Sequence, residues 1–158
     1  MLSYLLRKLA RATLAAEWAR LQRKLSNEHT RLLGLGESAP PLIAQCLLVS
    51  GEDHRHRYHP GFDVVAICRA AWRRIFHAKH EGASTIDQQI VRVLTGRYER
   101  TLARKLREIL LATLLTEVVP KHRLPSIYLL IGYFGWRMNG FEQACTRLHL
   151  NPTTMSQL

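Results

Sequence analysis

The sequence predicts an all-α domain, and three observations carry that prediction. Apolar residues recur at spacings of three and four along most of the chain, as they do on one face of a helix. No sustained stretch alternates apolar and polar residues with the period of two that a half-buried strand needs. The 158 residues, 47% of them hydrophobic, suffice for one core and not for two of ordinary size.

The first element is basic and amphipathic. Within residues 1–24, Leu2, Leu5, Leu6 and Leu9 share one side, while Arg7, Lys8, Arg11, Arg20, Arg23 and Lys24 fall mostly elsewhere. That pattern suits either an outer helix of the domain or a helix lying on a membrane. Glu17 and Arg20 interrupt it, so it does not read as a secretory signal, and no segment approaches the ~20 apolar residues of a membrane-spanning helix. Residues 1–36 are taken as this N-terminal helical unit, residues 37–150 as the main domain and 151–158 as a tail.

Gly34 to Pro41 make a break, and 42–50 form a short apolar helix leading into an acidic loop. From 61 to 77, Val64, Ile67, Cys68, Ala71, Trp72, Ile75 and Phe76 make one stripe, with Arg69, Arg73 and His77 opposite. Gly82-Ala83-Ser84 breaks the chain again, and Ser84 or Thr85 is placed to cap a helix over 87–94 that Gly96 ends. The next helix, 100–117, is expected to bury Leu102, Leu106, Ile109, Leu110 and Leu114 before Val118-Val119-Pro120 stops it. A strongly apolar helix over 123–133 carries Pro125 near its first turn, where proline is tolerated. A turn at 135–140 and a short helix over 141–150 complete the domain.

Lysine and arginine total 23 against 12 acids, a formal charge of +11, which favours anionic partners: phosphates, nucleic acid or an acidic membrane surface. Cys46, Cys68 and Cys145 are far apart and set in apolar stretches, as buried free thiols would be.

Chemistry is concentrated in three places. The stretch from Glu52 to Asp63 packs adjacent carboxylates, His54, His56 and His59, and a Pro-Gly breaker into one loop between apolar segments. One carboxylate of the pair, pressed against apolar neighbours or a second acid, could serve as a general acid or base; a solvated turn reads the same way. Next, Gly82 to Gln89 followed by Arg92 offers free backbone N–H groups, hydroxyls and paired glutamines, suited to a phosphate or a sugar; an ordinary capped helix with a solvated glutamine face would share these features. Third, Glu108 lies one turn beyond Arg104, in the weaker order for helix stabilisation, which makes a simple surface pair a poor explanation. With Arg92, Arg97 and Arg100 these residues put a cationic surface between two candidate acids, able to clamp a diphosphate leaving group or to bind a nucleic-acid backbone. A metal site drawn from His54, His56, His59, His77 and His80 completes no recognised zinc pattern with Cys68 or an acid.

In order and spacing these pieces resemble glycosyltransferase family 51, the peptidoglycan glycosyltransferase domain of penicillin-binding proteins and monofunctional transglycosylases. That family reads EDxxFxxHxGxD, GxSTxxQQxxK, RKxxE and KxxILExYLNxxYFG. Glu52, Asp53, His59, Gly61 and Asp63 fill the first pattern, and Gly82, Ser84, Thr85, Gln88 and Gln89 the second. Arg104, Lys105 and Glu108 fill the third, with Lys121, Ile127, Tyr128, Leu129, Tyr133, Phe134 and Gly135 in the fourth.

The resemblance implies an all-α, lysozyme-like glycosyltransferase domain with a larger lobe and a reduced smaller one. It implies joining of lipid-linked disaccharides (lipid II) into glycan strands with loss of a lipid diphosphate. Glu52 would be the general base and Glu108 the second acid, near the diphosphate and able to hold a divalent ion such as Mg or Mn, though no cofactor is required. Asp53, His59, Ser84, Thr85, Gln88, Gln89, Arg92, Arg100, Arg104, Lys105 and Arg107 would bind substrate. The partners implied are lipid II, the growing glycan strand, an anionic membrane surface and other cell-wall synthesis proteins, at the outer face of the cytoplasmic membrane; nucleic acid is not among them.

The chain departs from the family at several places. His56 stands for phenylalanine, Arg92 for lysine, and Pro125, Ser126 and Leu130 for the leucine, acid and amide of the fourth pattern. It also ends before the family's final basic pattern, the expectation being a C-terminally shortened form. A weakly active or inactive relative that binds lipid diphosphate or glycan is therefore a second reading, and a nucleic-acid-binding module, resting on charge alone, a third.

Overall fold

The computed structural model describes residues 1–36, 39–77 and 82–151; Glu37 and Ser38 of the predicted break, His80, and the predicted tail beyond Asn151 lie outside the described residues. Eight α-helices follow in order among the described residues: α1 Leu2–Thr13, α2 Ala15–Gly34, α3 Leu42–Glu52, α4 Val64–His77, α5 Ile86–Thr95, α6 Leu102–Val118, α7 Leu124–Ile131 and α8 Phe141–Arg147. Two 3-10 turns, His56–Tyr58 and Lys121–Arg123, link them, and the only extended pairing among the described residues is an isolated antiparallel bridge between Tyr133 and Asn139. The all-α expectation is met.

The core is organised around α5. Its Ile86, Ile90, Val91 and Leu94 pack with Leu111, Ala112 and Leu115 of α6, Leu124 and Ile127 of α7, and Leu21 and Leu25 of α2. Each fully buried aliphatic side chain contributes about 1.5–3 kcal/mol of transfer free energy. Both ends of α5 are fixed by its own sequence. Thr85, rather than Ser84, is the N-cap, its hydroxyl accepting from the Gln88 N–H, and Gly96 takes the left-handed conformation (φ 68°) that terminates the helix.

Three expectations are corrected. The N-terminal unit is two helices, because Leu14 leaves helical geometry (φ −122°, ψ 24°) and turns inward. That joint lets α1 lie on α6, where Arg7 and Arg11 reach Glu117 and Arg7 also donates to the Thr113 carbonyl. Leu2, Leu5 and Leu9 are left exposed.

The second correction concerns α6. Leu114 is buried as expected, but Leu102 and Leu106 are 85% and 62% exposed, and the stripe turned toward α5 is Glu108, Leu111, Ala112 and Leu115. These lie at i, i+3, i+4 and i+7, so the periodicity was helical but its buried side is set by Glu108, whose carboxylate is drawn in by Arg92 of α5.

The third concerns the thiols: Cys145 is buried, but Cys46 and Cys68 are exposed. Cys68 belongs to α4, which buries none of its residues although Asp63 caps its start by accepting from the Val65 and Ala66 N–H groups. No described helix is long and apolar enough to cross a membrane.

Candidate active site

Three segments meet at the site: the end of α3, the first half of α5 and the first half of α6. At the end of α3 the adjacent acids part company. Glu52, the last residue of the helix, is exposed, and its Oε2 accepts a 2.9 Å hydrogen bond from Gln89 Nε2 on α5. Asp53 follows with extended φ (−158°) and turns into the protein. Both its oxygens lie 3.0 Å from His59 Nε2, and Oδ2 also accepts from the Ile86 N–H and lies 3.3 Å from His56 Nδ1.

Burial alone would push the Asp53 carboxyl up. The hydrogen bonds from His56 and His59 and the Ile86 N–H outweigh it and hold Asp53 well below the usual carboxylate range. Asp53 is thus a permanent anion at the N-terminus of α5, where the helix dipole favours one.

Gly61 completes the loop's attachment. Its φ of 98° and its position, where a Cβ would fall 2.5 Å from the Ala112 carbonyl oxygen, admit no side chain. The Gly61 carbonyl accepts from the Thr85 hydroxyl at 2.8 Å and from Gln88 Nε2 at 3.3 Å. Thr85, Gln88, Asp53 and His59 are therefore buried structural ties that hold the site together, while Glu52, Ser84 and Gln89 stand nearer its surface. Glu52, Asp53, Gly82, Ser84 and Thr85 line one small cleft.

Behind that cleft lies the cationic cluster. Glu108, 2% exposed, receives Arg92 as a two-pronged pair, Nε to Oε1 at 2.8 Å and Nη2 to Oε2 at 3.2 Å, and Arg104 bonds the same carboxylate. Arg92 Nη2 also donates to Ser84 Oγ at 3.1 Å, and Lys105 Nζ donates to Ser84 Oγ at 2.8 Å and Gln88 Oε1 at 2.5 Å. Three cations around one carboxylate leave a local positive excess. The Glu108 hydrogen bond raises Arg92 above the ordinary arginine value. Burial brings Lys105 down to about 8; Glu108 opposes this, and the charges of Arg92 and Arg104 add to it. Tyr128 of α7 is raised by burial and by the charge of Glu52.

Both Glu108 oxygens are occupied by guanidinium groups, so a divalent ion there would have to displace them; the residues as arranged do not fit a resident metal. Three predicted cations make no bond to Glu108 or Ser84. Arg97 and Arg107 turn toward Glu17 of α2, at 3.5 and 4.0 Å, and Arg100 is exposed before α6.

Sequence reasoning missed a second buried cluster. Asp87, fully buried in the first turn of α5, receives Lys121 Nζ at 3.0 and 2.9 Å on its two oxygens, and His56 Nδ1 lies 3.7 Å away. Its signal was an acid just past a helix cap and a lysine in the fourth pattern, with nothing in the sequence to pair them. Ligand atoms of Asp53, His56, His59 and Asp87 all fall within 4.8 Å of one another, as a metal would require. However, the Gly61 N–H donates to His59 Nδ1, so that ring carries its proton on Nε2, toward Asp53, where a metal would need a lone pair. With Lys121 already on Asp87, the group is a hydrogen-bonded network.

A family model described as Transglycosylase matches residues 16–155. The penicillin-binding protein 1A of Escherichia coli (strain K12) is 38% identical over 110 residues, 68% of this chain and 13% of that protein. The penicillin-binding protein 1A of Rickettsia typhi is 36% identical over 91 residues, 55% of this chain and 12% of its own. A monofunctional glycosyltransferase of Staphylococcus aureus (strain Newman) is 33% identical over 123 residues, 75% of this chain and 46% of the relative. The chain thus spans less than half the length of these curated relatives.

Proposed function

The chain belongs to the transglycosylase family, and from that premise we propose that it is a peptidoglycan glycosyltransferase joining lipid II units into glycan strands. Glu52 takes the proton from the acceptor sugar's 4-hydroxyl, whose oxygen bonds to the donor's anomeric carbon as the bond to the lipid diphosphate breaks. Arg92, Arg104 and Lys105 stabilise the departing diphosphate, with Ser84 and Gln89 as polar contacts.

The observation that carries this reading is the unequal setting of the two acids. Glu52 is exposed and held by one amide, free to receive a proton, whereas Glu108 is buried with both oxygens bonded to arginines. Glu108 therefore organises the cationic clamp, and no cofactor is required; equal turnover with and without a chelator is the expected result. The exposed Leu2, Leu5 and Leu9 of α1 and the apolar face of α4, on a chain of charge +11, would rest on an anionic membrane at its outer face, near other cell-wall synthesis proteins.

Purified protein given lipid II should form glycan strands, and Glu52→Gln should lower turnover by about 10²–10⁴-fold, the usual contribution of a general base. Equal turnover of the two proteins would remove Glu52 from the role. Binding of lipid II without product in either would favour a diphosphate-binding relative, to which the complete clamp around Glu108 also lends support.

A further inference from the structure

We propose that His56 is a positioning residue that donates from both ring nitrogens, and in that charged form fastens the loop bearing Glu52 to α5. The ring is 3% exposed. Its Nε2 lies 3.0 Å from the Lys121 carbonyl oxygen, a group that only accepts. Its Nδ1 lies 3.3 Å from Asp53 Oδ2 and 3.7 Å from Asp87 Oδ2, again acceptors only. A neutral ring would have to aim a lone pair at one of these oxygens.

His59, in the same cluster, is the contrast. Its Nδ1 receives the Gly61 N–H and faces Lys121 Nζ at 3.3 Å, so a neutral ring satisfies it while Nε2–H serves Asp53. The charges then balance. Asp53 and Asp87 are met by Lys121 and His56, whereas with His56 neutral one buried carboxylate would lack a counter-charge.

The groups facing His56 come from every side. Asp53 and His59 belong to its own loop, the His59 ring lying 5.9 Å away edge-on; Asp87 comes from α5 and Lys121 from the following 3-10 turn. On its outer side His56 lines a cavity with Cys46, Arg57, Lys121 and His122, which gives protons a path to a ring otherwise buried.

Asp53 is the chain neighbour of Glu52 and bonds the Ile86 N–H, while Glu52 meets Gln89 three residues along the same helix. When His56 loses its second proton, the Nδ1 lone pair faces two carboxylates, the loop loosens from α5, and Glu52 loses alignment with Gln89. The ties therefore belong to the ring that carries both protons. The consequence for catalysis rests on the function proposed above; the protonation and the fastening do not.

The test is nitrogen NMR of the imidazole rings in the full chain, with signals assigned through bonds, alongside His56→Phe, which installs the residue of the family pattern. At neutral pH His56 should show a proton on both ring nitrogens and His59 on Nε2 alone. In polymerisation assays the variant should lose kcat rather than raise KM. A His56 ring with one bare nitrogen, or a His59 ring with both protonated, overturns the proposal, and the wild-type spectrum decides this even if the variant does not fold. Absence of polymerisation alongside the expected NMR result counts against the proposed function alone.

Discussion

Two neighbouring amphipathic helices meet opposite fates. α5 withdraws six of its ten residues from solvent, two of them polar, while α4 withdraws none of its fourteen. On α4, Trp72 and Phe76 stack with ring centroids 4.0 Å apart and remain 59% and 60% exposed, and Ile75 is 74% exposed. The difference lies less in apolar content than in what the polar residues do. α5 is held at its start by Asp53 and Thr85, along one side by Lys105 on Gln88 and Glu108 on Arg92, and on another by Lys121 on Asp87. Directional bonds to three neighbours fix its orientation, and the apolar seam closes behind them.

The two helices should differ most in what they contribute to stability. Ile90→Ala, at a fully buried position of α5, should cost about 2–5 kcal/mol through lost transfer energy and the cavity left behind. Ile75→Ala on α4 should stay within about 0.5 kcal/mol, as exposed substitutions do. Urea unfolding of both variants measures the gap. Similar losses would mean that α4 is anchored in the fold as firmly as α5, and the contrast would fall.

The same contrast explains what the sequence could and could not reveal. The limits of α5 were legible because Thr85 and Gly96 act locally, whereas the loop at Glu52 reads like a solvated turn by itself and stood out only through its order and spacing with the patterns downstream. The inward side of α6 was not legible, since periodicity says which residues share a face but not which face finds a neighbour. There the half-buried Arg92–Glu108 pair lies on the same face as Leu111, Ala112 and Leu115, and that face meets α5 while Leu102 and Leu106 stay outside. The approach of Arg107 to Glu17 was invisible too, because the two lie far apart in sequence. The Asp87 and Lys121 pairing was invisible because charges that neutralise each other across 34 residues leave no local pattern.

A milder test asks whether geometry, and not charge alone, holds α5. Arg92→Lys keeps the charge but forfeits the two-pronged bond to Glu108 and the third bond to Ser84. Because the Arg92 side chain is 27% exposed, the loss should be at the lower end for charged hydrogen bonds, about 1–2 kcal/mol. The denaturant midpoint should fall with an unchanged slope. No change would show that a point charge suffices, although lysine is the residue of the family pattern at this place.

The smallest effect separates the two faces by titration. Lys105, brought down to about 8 chiefly by burial, loses its charge within reach of ordinary buffers. Its folded value lies below its unfolded one, so the unfolded chain binds more protons between about 8 and 10.5, and stability should rise slightly with pH over that interval. Anion binding should move the other way. Affinity for inorganic pyrophosphate should drop about two- to fivefold as pH rises past 8, in keeping with a partly solvated ion pair worth ~0.5–1 kcal/mol. Lys105→Gln should bind more weakly from the outset and show neither trend. Association with anionic vesicles through α4, followed by Trp72 fluorescence, should not change over the same interval, because that contact is made by the apolar side chains of Val64, Ile67, Ala71, Trp72, Ile75 and Phe76. If vesicle association fell in step with pyrophosphate binding, the two faces would form one electrostatic surface, and the division between a charged α5 side and an apolar α4 side would have to be redrawn.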